Sequence, residues 1–423
     1  MGIKRIVIIG GGFAGIELIN GLGGNRFYQI TLIDVNNYYF FPPLLYQVAA
    51  GFLDTASISY PFRRMIRNKH NIKFQLGKLT GIDPQNRICS LEDGEISYDY
   101  LVIATGAKPN YYGLENIMRY AIPMKNIRNA LQMRNTLLEN LEKATMLGDT
   151  SGRKKLLSVV VAGGGPTGVE VSGMLAELRK YVLRKDYPEL LGASNNIVII
   201  DSNPRLLVTL SEKSGTDAFS YLHKLGVRII LNASVKDFDG SEVVLSNGET
   251  IEAATLIWTA GITAKSFDGI PEKCIGAGNR MIANPYNQLV GFDDIFVVGD
   301  TCLQQHDPFY PRGHPQLAQT AIQHGKLLGR NFKALAKGKD MQPFKYSDKG
   351  VMAIVGRNQA VVDIPSPKLH LRGFLALLIW LFIHIMRLVN YRNKLRTLFN
   401  WTAAYINRDQ SLRMIIRPSG NPD

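Results

Sequence analysis

Two stretches of the chain share one pattern of apolar and small residues. Ile6–Ile9 and Val159–Ala162 are apolar runs that suit buried strands, and each leads into Gly-Gly-Gly-x-x-Gly. An apolar residue and a glutamate, Glu17 or Glu170, then fit the first turn of a helix. The copies lie 153 residues apart. The pattern therefore predicts two strand, glycine-turn and helix units.

Other segments show the periodicities of strands and helices. Residues 72–101 and 226–258 read as short strands, and residues 126–147 have helical spacing. Asp149 to Lys155 is predicted to be a polar turn, and a helix is expected to begin at Pro315. Parallel strands alternating with helices predict an α/β fold.

Composition and charge narrow the class of protein. The 423 residues are 46% hydrophobic, and none of the three cysteines (Cys89, Cys274, Cys302) forms a C-x-x-C pair. This argues against a disulfide scaffold, a zinc ribbon or a dithiol centre, and no metal site is expected. The unpaired cysteines predict a reducing compartment. The early first strand leaves no room for a secretory or transit peptide. Residues 368–423 carry +7 of the net charge of +14.

Gly10, Gly12 and Gly15 occupy the glycine positions of a dinucleotide-binding fingerprint. These positions permit a tight turn, a close approach of backbone to a pyrophosphate, and close packing of helix on strand. Asp34 ends the next predicted strand 19 residues later, near the spacing of about 20 expected for an acid that binds a ribose. The alternative is a tight glycine turn in another kind of α/β protein. With the acid in place, the nucleotide interpretation is favoured.

Gly163, Gly165 and Gly168 repeat the fingerprint, but the corresponding acid, Asp201, lies 33 residues further on. A lengthened helix and loop over residues 179–196 account for the extra distance. An acid at this position favours NADH, because a 2′-phosphate would meet like charge. Arg205 is near enough in sequence to accommodate that phosphate, so NADPH stays an alternative.

Three further stretches are ambiguous without context. Residues 36–51 are aromatic, and their composition favours core or interface. Val298-Gly-Asp300 places a carboxylate at a strand tip, where it would suit a flavin ribitol chain or simply cap a turn. Gln316, Gln319 and Gln323 fall on one face of the helix expected from Pro315, a pattern more often solvated than functional.

Taken together, these motifs resemble the two-dinucleotide-binding flavoproteins, and more narrowly the type II NADH:quinone oxidoreductases. The resemblance covers essentially the whole chain, and its more specific parts are Ala318-Gln-x-Ala-x-Gln323 and the C-terminal tail. It implies two Rossmann-like domains, the second inserted in the first. The expected divisions are an FAD domain (1–112 and 264–335), an NADH domain (113–263), and C-terminal strands and amphipathic helices (336–423).

The resemblance also implies non-covalent FAD, NADH and a quinone as ligands. FAD is expected at Gly10, Gly12, Phe13, Ala14, Gly15, Asp34, Gln47, Leu79, Thr105, Gly106, Asp300, Ala318 and Gln319. NADH is expected at Gly163, Gly165, Pro166, Thr167, Gly168, Glu170, Asp201, Ala260 and Gly261. The implied catalytic residues are Glu170, which would supply a proton, with Gln319 and Gln323 near the quinone. The alternative for Glu170 is a first-turn glutamate favoured by the helix dipole, since Glu17 holds the same place in the first unit.

The tail predicts attachment to a membrane surface. Residues 373–386 form an uncharged, mostly apolar run that is shorter than the roughly 20 residues of a spanning helix. Leu388 to Ile406 then interleave apolar residues with basic ones, and Trp401 suits the interface. We expect residues 368–417 to bind a lipid bilayer, on the cytoplasmic face of a bacterial plasma membrane, without proton pumping. The alternative is a helix buried in a core or in a homodimer, and nucleic-acid binding is not expected.

Competing functions share parts of these motifs. A sulfide:quinone reductase needs a cysteine pair at the flavin, whereas Cys302 is the thiol that lies near a flavin motif in sequence. A disulfide reductase would need a C-x-x-C motif. A redox-sensing protein that binds FAD and NADH with slow turnover has the same fingerprints, so the motifs leave that alternative open.

Overall fold

The computed structural model describes residues 2–190, 196–407 and 412–416. Among the tail residues considered above, the Ile406 side chain and all of Arg408, Asp409, Arg417 and Asp423 lie outside this described part. The chain forms two compact units. Unit 1 comprises Met1–Phe40, Tyr60–Lys108 and Ile262–Asp348, and unit 2 comprises Phe41–Ser59, Pro109–Gly261 and Lys349–Asp423.

Strands and helices both occur in the two units, with several runs of consecutive strands. The strands are β1 Lys4–Ile9, β2 Tyr28–Asp34, β3 Tyr38–Phe40, β4 Ser59–Pro61, β5 Ile72–Leu76, β6 Leu79–Asp83, β7 Ile88–Leu91, β8 Gly94–Ser97, β9 Tyr100–Ile103, β10 Ala107–Pro109, β11 Ile122–Pro123, β12 Val159–Ala162, β13 Ile197–Ile200, β14 Arg228–Ile230, β15 Val235–Phe238, β16 Glu242–Leu245, β17 Thr250–Glu252, β18 Thr255–Trp258, β19 Ile262–Ala264, β20 Met281–Ile282, β21 Ile295–Val297, β22 Cys302–Leu303, β23 Val351–Gly356, β24 Gln359–Pro365 and β25 Lys368–Arg372. The helices are α1 Phe13–Leu22, α2 Leu45–Ala49, α3 Thr55–Ile58, α4 Phe62–Ile66, α5 Glu115–Tyr120, α6 Ile127–Met146, α7 Thr150–Leu157, α8 Pro166–Leu178, α9 Arg184–Asp186, α10 Glu212–Lys224, α11 Ala318–Leu335, α12 Gly373–Arg387 and α13 Tyr391–Asn407.

Unit 1 is built on a parallel five-stranded sheet in the order β21-β9-β1-β2-β5. Strand β1 lies in the middle because its residues from Ile6 to Ile9 are apolar and buried. Helix α1 packs on α11, and a Cβ added at Gly325 of α11 would lie 2.3 Å from the carbonyl oxygen of Ala14. This packing brings the start of α11 to the carboxyl edge of the sheet, where nucleotides bind in such folds.

Unit 2 repeats this arrangement with a parallel sheet in the order β11-β18-β12-β13-β14. Helix α8 follows the glycine turn after β12 and continues through a π-helical segment, Arg179–Leu183, into α9. The lengthened helix expected between Gly168 and Asp201 is therefore present in the described residues. Strands β15 to β17 form a separate antiparallel sheet.

One local prediction was wrong. Residues 149–155 were expected to form a turn, but α7 begins at Thr150 and continues to Leu157. Asp149 is the N-cap of this helix, and its side chain accepts a hydrogen bond from the backbone N–H of Gly152. The polar composition concealed the helix, although an aspartate at this place is a strong start signal.

The C-terminal part of unit 2 carries an antiparallel sheet, β23-β24-β25, followed by α12 and α13. Ala376 and Leu377 of α12 pack against β24 residues in a small apolar cluster, and Trp380 is fully buried. The other face of α12 exposes large apolar side chains, namely Phe374, Leu375, Leu378, Phe382 and Met386. Among the described residues, no helix is both long and apolar enough to cross a bilayer.

Candidate cofactor and quinone sites

The first glycine turn is too tight for larger residues at two of its positions. A Cβ at Gly10, whose φ is +106°, would lie 2.3 Å from the carbonyl oxygen of Ala104. A Cβ at Gly15 would lie 2.1 Å from the oxygen of Gly10. At Gly12, by contrast, a Cβ would meet no described heavy atom within 4 Å. The turn therefore packs tightly behind Gly12 and opens in front of it, at the amino end of α1.

Asp34 lies at the end of β2 and bonds to this turn. Its Oδ2 accepts a hydrogen bond of 2.7 Å from the N–H of Gly11, and its Oδ1 accepts one of 2.8 Å from the N–H of Asn36. Burial raises the pKa of Asp34, and these hydrogen bonds oppose that effect. Oδ1 also accepts a hydrogen bond of 3.3 Å from Asn36 Nδ2, so Oδ2 is the oxygen with which Asp34 can still bind a ribose hydroxyl.

The segment that carries Asp300 lies beside the same helix. After β21, Gly299–Thr301 forms a 3₁₀ turn in which Gly299 has φ +74°. A Cβ at Gly299 would contact Ala321 of α11 at 3.4 Å and Ala14 of α1 at 3.7 Å. Asp300 is partly exposed. Unit 1 thus brings Ala14, Asp300 and the first turn of α11, which starts at Ala318, to one place.

The remaining residues expected at FAD fall in both units. In unit 1, the Thr105 hydroxyl is buried without a hydrogen-bond partner among the described residues, and Gly106 has φ +65°. Phe13 packs edge-to-face on Tyr39 with 6.1 Å between ring centroids, and Leu79 is buried in the core of unit 1. Gln47 belongs to unit 2.

The geometry of unit 1 fits FAD. The open glycine at a helix amino terminus suits a pyrophosphate, because the first N–H groups of the helix point at it. In the described part of the chain, no side chain caps that end of α1. The acceptor positions of Asp34 and the unpartnered Thr105 hydroxyl supply polar groups for the rest of the cofactor.

The second glycine turn has the same geometry in unit 2. A Cβ at Gly168 would lie 1.8 Å from the oxygen of Gly163, whereas one at Gly165 would meet no heavy atom of the described chain within 4 Å. Pro166 takes the first helical position and Thr167 is exposed. Asp201 accepts a hydrogen bond from the N–H of Gly164, as Asp34 does from Gly11.

Arg205 is committed to the backbone of its own loop. Its Nη1 donates to the carbonyl oxygens of Leu207 and Ser211, and its Nη2 donates to those of Val208 and Leu210 at 3.0 Å each. A guanidinium held in this way is not directed at a nucleotide phosphate. The arrangement favours NADH over the NADPH alternative.

Tyr112 covers the segment after β18, a feature that sequence reasoning missed. Its hydroxyl donates to the carbonyl oxygen of Ala260 at 3.1 Å. A Cβ at Gly261 would lie 2.2 Å from the same hydroxyl. Gly261 is thus required by the position of Tyr112, which has φ +53°. This contact joins residues far apart along the chain, so the local sequence does not indicate it.

Glu170 of α8 is a carboxylic acid that holds its proton at neutral pH. Burial raises its pKa to about 8, and the N–H of Ile354 in β23 donates weakly to Oε1 at 3.4 Å. Tyr46 lies close enough for the Glu170 charge to raise its own pKa further, after the larger effect of burial. Both groups are therefore neutral acids in unit 2.

Gln47 is hydrogen-bonded to the C-terminal helices. Its Oε1 accepts a bond of 2.6 Å from Trp401 Nε1, and its Nε2 donates to the Tyr46 hydroxyl at 3.2 Å. Trp401 packs near Trp380 of α12, which stacks on His384 at 3.6 Å between ring centroids. A polar network thus leads from α13 to Tyr46, beside Glu170.

Gln319 and Gln323 both bond to the segment 347–348, within unit 1. Gln319 Nε2 donates to Asp348 at 3.2 Å, and Gln323 exchanges two bonds of 2.9 Å with the backbone of Ser347. The helix expected to begin at Pro315 begins at Ala318 instead, so the prediction that Gln316 belongs to it was wrong. Gln316 donates to the carbonyl oxygen of Asp300 at 2.9 Å. The expected polar face is therefore largely engaged in fixing neighbouring backbone.

Comparison with known proteins identifies the family. A family model described as pyridine nucleotide-disulphide oxidoreductase matches residues 4–325, and one described as the NDH2 C-terminal domain matches residues 349–409. The type II NADH:quinone oxidoreductase Ndh of Mycobacterium tuberculosis is 33% identical over 95% of this chain and 88% of its own length. The chain belongs to the type II NADH:quinone oxidoreductase family. The Haemophilus influenzae type II enzyme is 28% identical over 86% of this chain and 88% of its own length.

Solved structures agree in fold. NDH2 from Plasmodium falciparum, determined in complex with NADH, has a TM-score of 0.88, 21% identity, and coverage of 98% of this chain and 100% of the other. The sulfide:quinone oxidoreductase from Aquifex aeolicus has a TM-score of 0.69, also with 21% identity, over 96% of this chain and 92% of the other. The predicted fold class is confirmed.

Membership confirms the predicted activity and cofactors. This type II NADH:quinone oxidoreductase uses FAD and NADH and passes electrons to a quinone. The cysteines also favour this activity over that of a sulfide:quinone reductase. Cys89, Cys274 and Cys302 are buried, and desolvation raises the pKa of each thiol, to about 12 for Cys89 and Cys302. Such thiols stay protonated and are poor nucleophiles.

Alanine at Gly12 or Gly165 tests the two cofactor sites separately. Both positions have extended backbone, and the new methyl would point into open space at the amino end of a helix, where a bound pyrophosphate would lie. We expect Gly12→Ala to weaken FAD binding and Gly165→Ala to raise the KM for NADH, each by about tenfold, or about 1.4 kcal/mol.

Gly148→Ala is the matched control, because its Cβ likewise meets no atom within 4 Å among the described residues. The readouts are flavin release on dilution and steady-state NADH kinetics, with melting temperatures expected to stay within about 2 °C of the parent. Unchanged cofactor binding in both variants would contradict the assignment.

Proposed function

We propose that unit 1 holds FAD and unit 2 binds NADH through the residues that surround their glycine turns. The proposed FAD residues are Gly10, Gly12, Phe13, Ala14, Gly15, Asp34, Gln47, Leu79, Thr105, Gly106, Asp300, Ala318 and Gln319. The NADH residues are Gly163, Gly165, Pro166, Thr167, Gly168, Glu170, Asp201, Ala260 and Gly261. The open glycines and the acids bonded to them support this assignment.

The residues around the first glycine turn would hold FAD, and the bound cofactor would supply the chemistry of hydride acceptance from NADH and two-electron transfer to a quinone. The chain itself binds the two nucleotides, orients them and supplies protons. The N–H groups at the amino ends of α1 and α8 face the pyrophosphates, and Asp34 and Asp201 hold the riboses. Accurate placement of donor and acceptor is the main contribution of a protein to such a transfer.

Glu170 provides a proton for quinol formation, and the packing of its carboxyl against the Ile354 backbone and Tyr46 is the observation that carries this proposal. A pKa of about 8 keeps the acid protonated at neutral pH yet allows it to release the proton. The phenol of Tyr46 is its neighbour, and Trp401 links that pair to the C-terminal helices through Gln47. Gln319 and Gln323 are proposed to lie near the quinone. Their hydrogen bonds to residues 347–348 hold both side chains in place.

Glu170→Gln separates the two half-reactions. We expect flavin reduction by NADH to stay within about twofold, while reoxidation by quinone falls about 100-fold at pH 7, the usual scale of a general acid. In the parent, reoxidation should decline as pH rises through about 8, because the folded-state carboxyl then loses its proton. The variant should lack this pH dependence.

Anaerobic stopped-flow absorbance of the flavin measures both steps. Glu17→Gln is the matched control, since Glu17 has the equivalent position in the first unit, and its reoxidation rate should be unchanged. If Glu170→Gln keeps both the parent rate and the parent pH profile, water rather than Glu170 is the proton source. Reduced flavin that no quinone reoxidises quickly would instead favour the redox-sensing alternative.

The dinucleotide preference follows from Asp201 and Arg205. We expect kcat/KM for NADH to exceed that for NADPH by at least about 100-fold, because the carboxylate repels a 2′-phosphate and Arg205 is occupied. Asp201→Asn keeps an acceptor for the N–H of Gly164 and removes the negative charge. The ratio of kcat/KM for NADH to kcat/KM for NADPH should therefore fall by about tenfold. Asp237→Asn, elsewhere on unit 2, serves as the control. Equal use of both nucleotides by the parent would refute the assignment.

We further propose the division into an FAD domain (1–112 and 264–335), an NADH domain (113–263) and a C-terminal membrane segment (336–423). The two parallel sheets support the first two, since the strands of one lie within 4–103 and 295–297 and those of the other within 122–258. Residues 368–417 attach to the lipid surface, on the cytoplasmic face of a bacterial membrane. The similarity to two bacterial enzymes supports a bacterial setting.

Phe382→Glu tests attachment through the exposed face of α12. Phe382 is 66% exposed, and burial of such a side chain in lipid contributes about 1.5–3 kcal/mol. We expect binding to vesicles of equal phosphatidylglycerol and phosphatidylcholine to fall roughly 10- to 100-fold in sedimentation assays. Phe309→Glu is the control, because Phe309 is an exposed phenylalanine in unit 1.

A homodimer formed through the same face is the competing assignment. In that case Phe382→Glu would convert a dimer into a monomer in analytical ultracentrifugation and leave vesicle binding unchanged. Loss of vesicle binding without a change in oligomeric state is the result expected from lipid attachment.

A further inference from the structure

The 3₁₀ turn at Gly299–Thr301 is held by side chains from three parts of unit 1. His324 of α11 accepts a hydrogen bond of 3.1 Å from the N–H of Gly299 at its Nδ1. Gln316 donates to the carbonyl oxygen of Asp300 at 2.9 Å. Arg280 donates from Nε to the carbonyl oxygen of Cys302, also at 2.9 Å. These three bonds fix the directions of the Gly299 N–H and of the Asp300 and Cys302 carbonyl groups.

We propose that His324 is a positioning residue for flavin binding: through Gly299 it fixes the turn from which Asp300 reaches the cofactor. This inference rests on the proposed role of Asp300 at FAD. His324 does not itself need to touch the flavin. Its place in the fold decides where Asp300 lies.

The position of His324 is itself rigidly determined. The side chain is 1% exposed and packs edge-on against Phe344, with 4.1 Å between ring centroids. The next residue, Gly325, contacts the backbone of α1 so closely that a Cβ there would lie 2.3 Å from the Ala14 oxygen. Helix α11, which carries His324, therefore packs in a fixed position on α1, whose amino end is proposed to face the pyrophosphate.

The hydrogen bond determines the state of the imidazole ring. Because Gly299 N–H donates to Nδ1, the ring proton lies on Nε2 and the ring is neutral. Burial, helped by the charges of His314 and Arg280, lowers the pKa of His324 to about 3. The acceptor therefore persists over the whole physiological pH range.

Loss of this acceptor would leave the buried N–H of Gly299 unsatisfied. Gly299 has φ +74°, a conformation that glycine adopts without strain, so the hydrogen bond to His324 rather than backbone strain specifies the turn. An unpaired buried N–H is costly, and the turn would shift to give it another partner. Without the bond to His324, we expect Asp300 to sample directions that do not reach the flavin.

The matched pair His324→Asn and His324→Leu isolates the acceptor. Both replace the ring by a smaller side chain of the same branching, but Asn Oδ1 stands at the same number of bonds from the backbone as His Nδ1. We expect His324→Leu to raise the dissociation constant of FAD about tenfold above that of His324→Asn. The leucine variant should also alter the visible circular dichroism of the bound flavin, whereas the asparagine variant keeps the parent signal.

Asn331→Leu is the control for general loss of stability. Asn331 is buried in the same helix and exchanges two hydrogen bonds with the backbone of Gln342, away from the turn. Its loss should lower the melting temperature and leave FAD affinity within about twofold. If Asn331→Leu weakens FAD as much as His324→Leu does, or if the two His324 variants behave alike, the positioning role is wrong.

Asp300→Asn separates this inference from the proposed site. If Asp300→Asn weakens FAD but the two His324 variants do not differ, the site stands and the role of His324 falls. If Asp300→Asn leaves FAD affinity unchanged, Asp300 is not a cofactor ligand and both proposals fail. All measurements use the full-length holoenzyme, with FAD release followed by flavin fluorescence on dilution.

Discussion

Contact between backbone atoms at the two glycine turns is the constraint on which each unit depends. In unit 1 the oxygen of Gly10 lies where a Cβ of residue 15 would be, and in unit 2 the oxygen of Gly163 lies where one of residue 168 would be. This contact fixes the angle at which each helix leaves its strand. The amino end of the helix then faces the open glycine, and the acid of the next strand reaches back to the turn.

The features that sequence predicted are those set by neighbours along the chain. Buried strands need apolar runs, and the turns need glycine at fixed positions, so both parallel sheets and both fingerprints could be recognised. The missed features depend on contacts between distant residues. Gln47 and Trp401 are 354 positions apart, and nothing in either local sequence indicates the other. The same holds for His324, which reads as one more polar residue on a helix.

Glu17 and Glu170 show why position in a motif does not determine chemistry. Both glutamates follow the third glycine by two residues. Glu17 lines a shallow surface cavity of about 320 Å³ together with the basic residues Lys326, Arg330 and Lys333. Glu170 instead meets the backbone of Ile354 and the buried phenol of Tyr46. Desolvation therefore raises the pKa of Glu170, so the elements packed against this motif residue favour its protonated form.

The acids at the strand ends resolve another apparent choice. For Asp300 the sequence set a turn-capping role against a ligand-binding role, but Asp34 and Asp201 illustrate that one carboxylate can bond to a turn and keep acceptor positions for a ligand. Asp34 and Asp201 each use one lone pair on the N–H of a glycine in the turn, which leaves further acceptor positions on the same oxygens. The bond to the turn orients the carboxylate without a nucleotide, so the proposed recognition of a ribose would use a side chain that the turn already holds in place. If that proposal holds, a substitution there would change affinity through the turn as well as through the lost contact, unless the new side chain keeps the acceptor.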